Sequence, residues 1–397
     1  MALLSKRVNK INESQTIAMA QRSRDMKAKG IDVINLSLGE PDFATPQHIK
    51  DAAKKAIDDN FSYYPPIAGY LDLRQAICHK LLRDNGLQYT PDQIVVSTGA
   101  KQSIINVLLC LIDEGDEVIV PAPFWVSYLE MIKLCDGKAV MLPTNVSSNF
   151  KITPQQLEQA ITPQTKAFLF SSPSNPTGSA YTEEELGEFA KIFEKNPHIT
   201  IISDEIYEFI NFLGKHYSLA QFPAIKNQCV VVNGVSKGFA MTGWRLGYIA
   251  APLPIAQACT KIQGQFTSAA SSITQKATIA ALNGSLKPTL AMCEAFKKRR
   301  DLIYNGLMQI EGLKCNYPDG AFYVFPDVSA FFSKSFEGKI IHNADDLALY
   351  LLEQAHVATV TGEAFGNAEC LRISFAASNQ DLIEAVKRIT KALEQLV

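Results

Sequence analysis

Through the middle of the chain, short unbroken apolar runs alternate with longer stretches whose apolar positions recur every three or four residues. The runs are Ile94–Ser97, Glu117–Val120, Ala139–Leu142, Lys166–Ser171, Thr200–Ser203, Val230–Asn233 and Leu246–Ala250, each bounded by Gly, Pro, Asn or Ser. That length and punctuation predict buried strands. Between them, Gln102–Ile112 sets Ile105, Leu108, Leu109 and Ile112 on one helical face. Thr182–Phe193 opens on Thr-Glu-Glu-Glu, a capping-box signal, before the stripe Leu186, Phe189, Ile192 and Phe193. Such alternation predicts an α/β domain of three layers, a mostly parallel sheet with helices on both faces.

The two ends of the chain read differently. A long helical stretch, Leu286 to Met308, precedes two short strand patterns at Ala321–Phe325 and Cys370–Phe375, and helical stripes lie at Ala344–Gln354 and Gln380–Leu396. The N-terminal segment to about Ser37 carries one helical pattern and one strand, Val33–Leu36, and is expected to pack with the C-terminal part. The organisation expected is a large domain over 46–290 and a smaller α+β domain built from 1–45 and 291–397, the first residues forming an arm.

Composition narrows the function. Thirty-eight Lys and Arg stand against 40 Asp and Glu, a net charge of −2, so no broad nucleic-acid-binding surface is expected. No apolar stretch approaches the ~20 residues that cross a bilayer, and Met1–Lys10 lacks the apolar segment of a signal peptide. The eight cysteines are scattered without C-x-x-C spacing, and the six histidines form no H-E-x-x-H cluster. These patterns predict a large cytoplasmic enzyme with reduced cysteines and no metal site.

In open α/β sheets ligands bind beyond the carboxyl ends of strands, so the residues following each run are the candidates. Thr98-Gly99-Ala100-Lys101-Gln102 opens a helix, whose N-terminal N–H groups attract an anion such as phosphate; taken alone, it is more simply an ordinary turn with a solvated Lys101. Ser172-Pro173-Ser174-Asn175-Pro176-Thr177-Gly178 fixes the Asn175 amide on a stiff loop, or merely caps the next helix. Asp204, at the mouth of a buried run, either neutralises a cationic ring nitrogen, with the Tyr207 hydroxyl nearby, or caps a helix. Gly234-Val235-Ser236-Lys237-Gly238 matches the G-x-S-x-G elbow of serine hydrolases, but the following glycines, Gly238, Gly243 and Gly247, leave no long helix. The rival reading makes Lys237 reactive: a lysine among apolar residues beside a second cation, Arg245, loses its proton more readily and can form a Schiff base, although taken alone Lys237 is more simply an exposed loop lysine. An anion site, a carboxylate and a lysine together describe one ligand, pyridoxal phosphate.

The ordered motifs Leu-Gly-Glu-Pro-Asp-Phe (38–43), Ser-Pro-Ser-Asn-Pro-Thr-Gly (172–178), Ser-Asp-Glu-Ile-Tyr (203–207), Ser-Lys-Gly-Phe-Ala-Met-Thr-Gly-Trp-Arg-Leu-Gly (236–247) and Leu-Arg-Ile-Ser (371–374) span the chain. With them the chain resembles the fold-type I pyridoxal-phosphate aminotransferases of class I and is similar to their bacterial aspartate aminotransferase branch. The resemblance implies that Lys237 forms the Schiff base and moves the substrate Cα proton. It implies that Asp204 pairs with the pyridine nitrogen, and that Tyr207 and Asn175 bond the ring hydroxyl. Trp125 would stack on the ring. Arg245, Ser236 and the N–H groups of Ala100 and Lys101 would hold the phosphate. Tyr64 would reach that phosphate from a neighbouring subunit, which makes the enzyme a homodimer. Arg372 would clamp the substrate α-carboxylate, with Asn175 and Trp125 against the substrate and Gly39 letting it approach the backbone.

Some members carry a serine three residues before the lysine; here that position is Gly234. Lys101 is the candidate for a distal carboxylate, with Lys261 a weaker one. The implied reaction is ping-pong transfer of the amino group of L-aspartate to 2-oxoglutarate, giving oxaloacetate and L-glutamate. Three alternatives stay open: prephenate, aromatic or alanine-type substrates, a pyridoxal-phosphate C–S lyase, and a hydrolase built on Ser236.

Overall fold

The computed structural model describes residues 4–13 and 15–397. All seven apolar runs are strands of one sheet: β1 (Ile94–Ser97), β2 (Glu117–Ala122), β3 (Lys138–Pro143), β4 (Thr165–Ser171), β5 (Thr200–Asp204), β6 (Cys229–Gly234) and β7 (Gly247–Ala250). Their order is β1-β7-β6-β5-β4-β2-β3, and only β7 runs against its neighbours. Successive side chains of a strand point to opposite faces. Thus Ile94, Val96, Phe168, Phe170 and Ile201 join one buried cluster, while Val95, Val118, Leu169 and Ile202 join another on the far side. Both faces are apolar, which is why the strands read as unbroken runs rather than as alternation.

Helices cover both faces. Of those that matter below, α1 (Ala100–Leu111) follows β1, and α2 (Glu183–Lys195) begins where Thr182 accepts the Glu185 N–H in a complete capping box. After β7 come α3 (Leu253–Phe266) and the 21-residue α4 (Lys287–Leu307). The final helix, α5 (Asn379–Glu394), buries Leu382, Ala385 and Ile389 in the same cluster as Phe296, Ile303 and Leu307 of α4.

That cluster is the second lobe, with a three-stranded antiparallel sheet made of 360–361, 371–374 and 323–324. The N-terminal strand Ile34–Asn35 pairs in parallel with Val357–Ala358, tying the two ends of the chain together. The expected helix over Ala344–Gln354 is α-helical only to Tyr350 and widens to a π-turn over Leu351–Ala355. Among the described residues no helix is long and apolar enough to cross a membrane.

Candidate active site

One cavity, about 1030 Å³ counted to its open mouth, lies at the carboxyl edge of β4, β5 and β6 and is closed by the second lobe. It brings together eleven of the thirteen candidate site residues singled out from the sequence. Tyr64 lies outside it, 94% exposed on a single chain. Lys261, the weaker candidate for a carboxylate, does not line it either.

Asp204 is the last residue of β5 and is buried. Its Oδ2 accepts a hydrogen bond from the Tyr128 hydroxyl at 2.7 Å and its Oδ1 one from the Ile206 N–H at 3.3 Å. No helix follows it, only turns, so the helix-capping alternative is wrong; the Ile206 bond is a local turn. Burial raises its pKa to about 6, although the Tyr128 bond works the other way. Among the described residues no cation lies within ion-pair distance of it.

Lys237 follows β6 on a tight loop closed by bonds from Met241 N–H to Ser236 C=O (3.1 Å) and from Ala240 N–H to Lys237 C=O (3.3 Å). Its Nζ donates to the Gly39 carbonyl and lies 5.9 Å from the Tyr207 ring centre and 5.8 Å from that of Phe322. Desolvation lowers its pKa to about 8; Glu40 opposes this, and Arg372 and Arg245 add to it. Ser236 is buried beside it, but no histidine lines the cavity among the described residues, so the hydrolase elbow lacks its base.

Arg372, on the strand Leu371–Ser374, is 2% exposed. Its Nη1 donates to Asn175 Oδ1 at 3.1 Å, its Nη2 to the Ser37 carbonyl at 2.6 Å, and its buried Nε meets no acceptor among the described residues. The guanidinium sits between the rings of Tyr323 (4.6 Å) and Phe365 (4.8 Å) and has no carboxylate partner among the described residues. The Asn175 loop is set by bonds from Ser174 N–H to Ser179 C=O and from Gly178 N–H to Ser174 C=O, both 2.9 Å. Gly178 has φ +69°, and a Cβ there would strike Pro318.

The remaining corner is an anion cup. Because β7 runs antiparallel, its first residue, Gly247, lies beside Ser97 and Gly234 at the ends of β1 and β6. That brings Arg245 against the turn that opens α1. Its Nη1 donates to the Thr242 carbonyl (3.0 Å) and its Nη2 to the Thr98 carbonyl (3.4 Å). Gly99 has φ +86°, and a Cβ there would collide with the guanidinium. A Cβ on Gly247 would collide with the Ala100 nitrogen. Ala100 and Lys101, first residues of α1, border the cavity, where helix N–H groups favour an anion. Trp125 forms the wall above, with the Lys101 ammonium 4.9 Å from its ring.

Two tyrosines escaped the sequence reading. Tyr128, the partner of Asp204, packs edge-on against Trp125 at 5.6 Å; the i,i+3 spacing from Trp125 was the available signal. Tyr323 bonds the Tyr207 hydroxyl at 2.7 Å, and a Cβ on Gly39 would press on its hydroxyl. Nothing in the apolar run 321–325 separates it from Phe322 or Phe325.

The donor set fits the cofactor expected from the sequence. A buried carboxylate without a cation suits a protonated ring nitrogen, a helix N-terminus with an arginine suits a phosphate, and a partly neutral lysine suits an aldehyde. A buried guanidinium with an unused Nε–H suits a substrate carboxylate.

Comparison with known proteins agrees. Residues 31–389 match the family model "Aminotransferase class I and II". The chain is 48% identical to the bifunctional aspartate aminotransferase and glutamate/aspartate-prephenate aminotransferase of Petunia hybrida, over 98% of this chain and 82% of that one. It is 46% identical to the aspartate/prephenate aminotransferase of Nitrosomonas europaea, over 98% and 99%. Among solved structures it is similar to the aspartate aminotransferase of Rhizobium meliloti, with a TM-score of 0.97, 42% identity and full coverage of both chains.

Proposed function

The chain belongs to the class I and II aminotransferases, and from that premise we propose that it moves the amino group of L-aspartate to 2-oxoglutarate, releasing oxaloacetate and L-glutamate in two half-reactions. Its cofactor is pyridoxal 5′-phosphate. One observation carries the reading: Asp204 and Arg372, two buried and oppositely charged groups, face the same cavity as Lys237 without pairing with each other.

Bound there, pyridoxal phosphate supplies an aldehyde that condenses with amines and a ring that delocalises the electron pair of a broken Cα–H bond. Asp204 holds the ring nitrogen in its protonated form. Tyr207, fixed by Tyr323, and the Asn175 amide hydrogen-bond the ring hydroxyl. Trp125 covers one ring face. Arg245, Ser236 and the first N–H groups of α1 hold the phosphate. Lys237, whose pKa is lowered to about 8, would be the amine to which the cofactor's aldehyde is bound and would hold and move the proton taken from the substrate Cα. Arg372 grips the α-carboxylate with two parallel N–H bonds, a geometry a lysine lacks. Gly39 leaves room for the substrate beside the backbone. Lys101, at the mouth, meets the second carboxylate of aspartate or 2-oxoglutarate.

We place the enzyme in the cytoplasm as a homodimer whose Tyr64 completes the phosphate site of the other subunit. The exposure of Tyr63 (82%), Tyr64 (94%) and Phe266 (67%) on a single chain supports that arrangement. A second reading, prephenate as the amino acceptor, is supported by the cleft that continues outward past Lys101, Val126 and Ser127 and by the names of the two relatives.

The test adds single amino acids to the cofactor-loaded protein and follows its visible absorbance. L-Aspartate and L-glutamate should discharge the band fastest, and 2-oxoglutarate should restore it; prephenate restoring it as fast favours the second reading. A protein without visible absorbance, in which borohydride leaves Lys237 unlabelled, overturns both. Release of pyruvate and ammonia without an acceptor would instead mark a lyase.

A further inference from the structure

Gln263, in the last turn of α3, is fully buried. A primary amide offers two donor hydrogens and two acceptor lone pairs, and here all four are used. Its Oε1 accepts from Ser97 Oγ at 2.7 Å and from Asn106 Nδ2 at 3.0 Å. Its Nε2 donates to the Val96 carbonyl at 2.8 Å and to the Ile67 carbonyl at 2.9 Å. Two of those partners are carbonyls, which can only accept, so the orientation of the amide is fixed by its neighbours.

The partners flank the anion cup. Val96 and Ser97 end β1, immediately before the turn Thr98–Lys101, and Asn106 lies on the second turn of α1, immediately after it. A second tie runs alongside: Gln102 accepts the Thr98 N–H and donates to Thr267, the residue that closes α3. Within the turn, the Gly99 N–H bonds the Ser97 carbonyl (2.8 Å) and Arg245 Nη2 the Thr98 carbonyl (3.4 Å), which leaves its spacing from β1 and α3 to the side-chain ties. Gly99 is in the left-handed region, and the first N–H groups of a helix have no partner within the helix. The fourth bond, to Ile67, ties down the loop that carries Tyr64.

We propose that Gln263 is a positioning residue for the cofactor's phosphate: it sets the turn Thr98–Lys101 at the spacing a phosphate dianion needs, without touching the ligand. The proposal rests on the pyridoxal phosphate reading above. A glutamine serving only the core would support ligands with and without a phosphate equally. A glutamine that sets the cup matters only when a phosphate is present.

Three ligands separate these cases. Cofactor-free wild type, Gln263→Leu and Ser97→Ala are titrated with pyridoxal phosphate, with pyridoxal, which keeps the ring and aldehyde but lacks the phosphate, and with inorganic phosphate as competitor. Ser97→Ala removes one bond, so the Kd for pyridoxal phosphate should rise about fivefold, and Gln263→Leu, which strips four partners, should raise it at least tenfold. Both variants should bind pyridoxal within about twofold of wild type and lose competition by phosphate, and both should keep kcat within about twofold at saturating cofactor. Equal loss of affinity for pyridoxal and pyridoxal phosphate, or an unchanged Kd for the phosphate form in a folded variant, overturns the proposal. If Gln263→Leu does not fold, Ser97→Ala decides. A wild-type protein that binds pyridoxal but no pyridoxal phosphate sinks the functional reading, and this proposal with it.

Discussion

Replacing Asp204 with asparagine should make the cofactor-free protein more stable at pH 8 while weakening its hold on the cofactor. Asp204 is buried with one tyrosine and one backbone N–H, and burial raises its pKa from the ordinary 3.8 to about 6. A carboxyl that binds its proton more tightly when folded subtracts from stability wherever it is ionised. The penalty grows as pH rises from about 4 to about 6 and stays at its full value above that, about 3 kcal/mol at 1.36 kcal/mol per pKa unit. An asparagine never ionises and is nearly isosteric. Its Oδ1 can keep the Ile206 N–H, and its Nδ2 can donate to the Tyr128 oxygen while that hydroxyl turns toward Ser171. With an unfolding entropy of about 2 cal/mol/K per residue, 3 kcal/mol in a chain of this size raises Tm by about 3–4 °C. Thermal scans of both proteins, cofactor-free, at pH 8 and pH 4.5, should show that gain at the higher pH and only about a third of it at the lower. Adding pyridoxal phosphate at pH 8 should reverse the order, because only wild type offers an anion to the ring nitrogen. A variant whose cofactor-free Tm at pH 8 equals or falls below that of wild type would refute the electrostatic account. A gain equal at both pH values would do so too.

Arg372→Lys should lower kcat/KM for aspartate at least about 100-fold, since one ammonium cannot replace two parallel N–H bonds; steady-state rates check this, and a loss below tenfold would remove the two-point grip. Asn175→Asp should pair Arg372, raising Tm of the cofactor-free protein and KM for every amino acid; an unchanged KM would show that the guanidinium does not receive the substrate. Lys101→Ala should raise KM for dicarboxylates far more than for alanine or phenylalanine, and equal losses would assign Lys101 to the phosphate. Lys237→Ala should abolish turnover while the protein stays folded, and a variant that keeps a near-normal rate would remove Lys237 from its role. Stopped-flow capture of pyridoxal phosphate by cofactor-free wild type should accelerate with pH through about 8, the value of the Lys237 ammonium, and a flat profile would contradict that value.

The large sheet was legible because strands buried on both faces are apolar along nearly their whole length, and six of the seven runs are of that kind, the seventh, β3, being a half-exposed edge strand that is still mostly apolar. Direction was not: β7 is as apolar as its neighbours, and only its pairing reveals that it runs the other way. That reversal brings Arg245 to the cup, so its nearness to Gly99 is a fact of topology rather than of sequence spacing. The second lobe was blurred because several of its strands are two residues long, too short for any period to register. Its π-turn leaves the apolar stripe of Ala344–Gln354 intact while changing the hydrogen bonding beneath it. Local pattern left Asp204 open between a cap and a ligand group; the absence of a following helix and the reach of Tyr128 from a helix 76 positions upstream decide it. Tyr128 and Tyr323 were missed for a related reason. Each acts on a group distant in sequence, and each looks locally like one more core aromatic.

The two buried charges explain why a near-neutral composition said nothing of the site. Paired with each other, Asp204 and Arg372 would offset most of their desolvation cost and leave nothing for a ligand. The fold keeps them apart and satisfies each with neutral partners: a tyrosine hydroxyl and a backbone N–H for the carboxylate, an asparagine oxygen and a backbone carbonyl for the guanidinium. Neutral partners supply hydrogen bonds without cancelling charge, so each group stays oriented and keeps its field. Lys237 lines the same cavity, where the loss of water and the positive field of Arg372 and Arg245 lower its basicity against the pull of Glu40 and Asp204. The cavity is therefore destabilised when empty in proportion to what it can bind, and a ligand carrying a cationic ring, a phosphate and a carboxylate relieves every part of that cost at once.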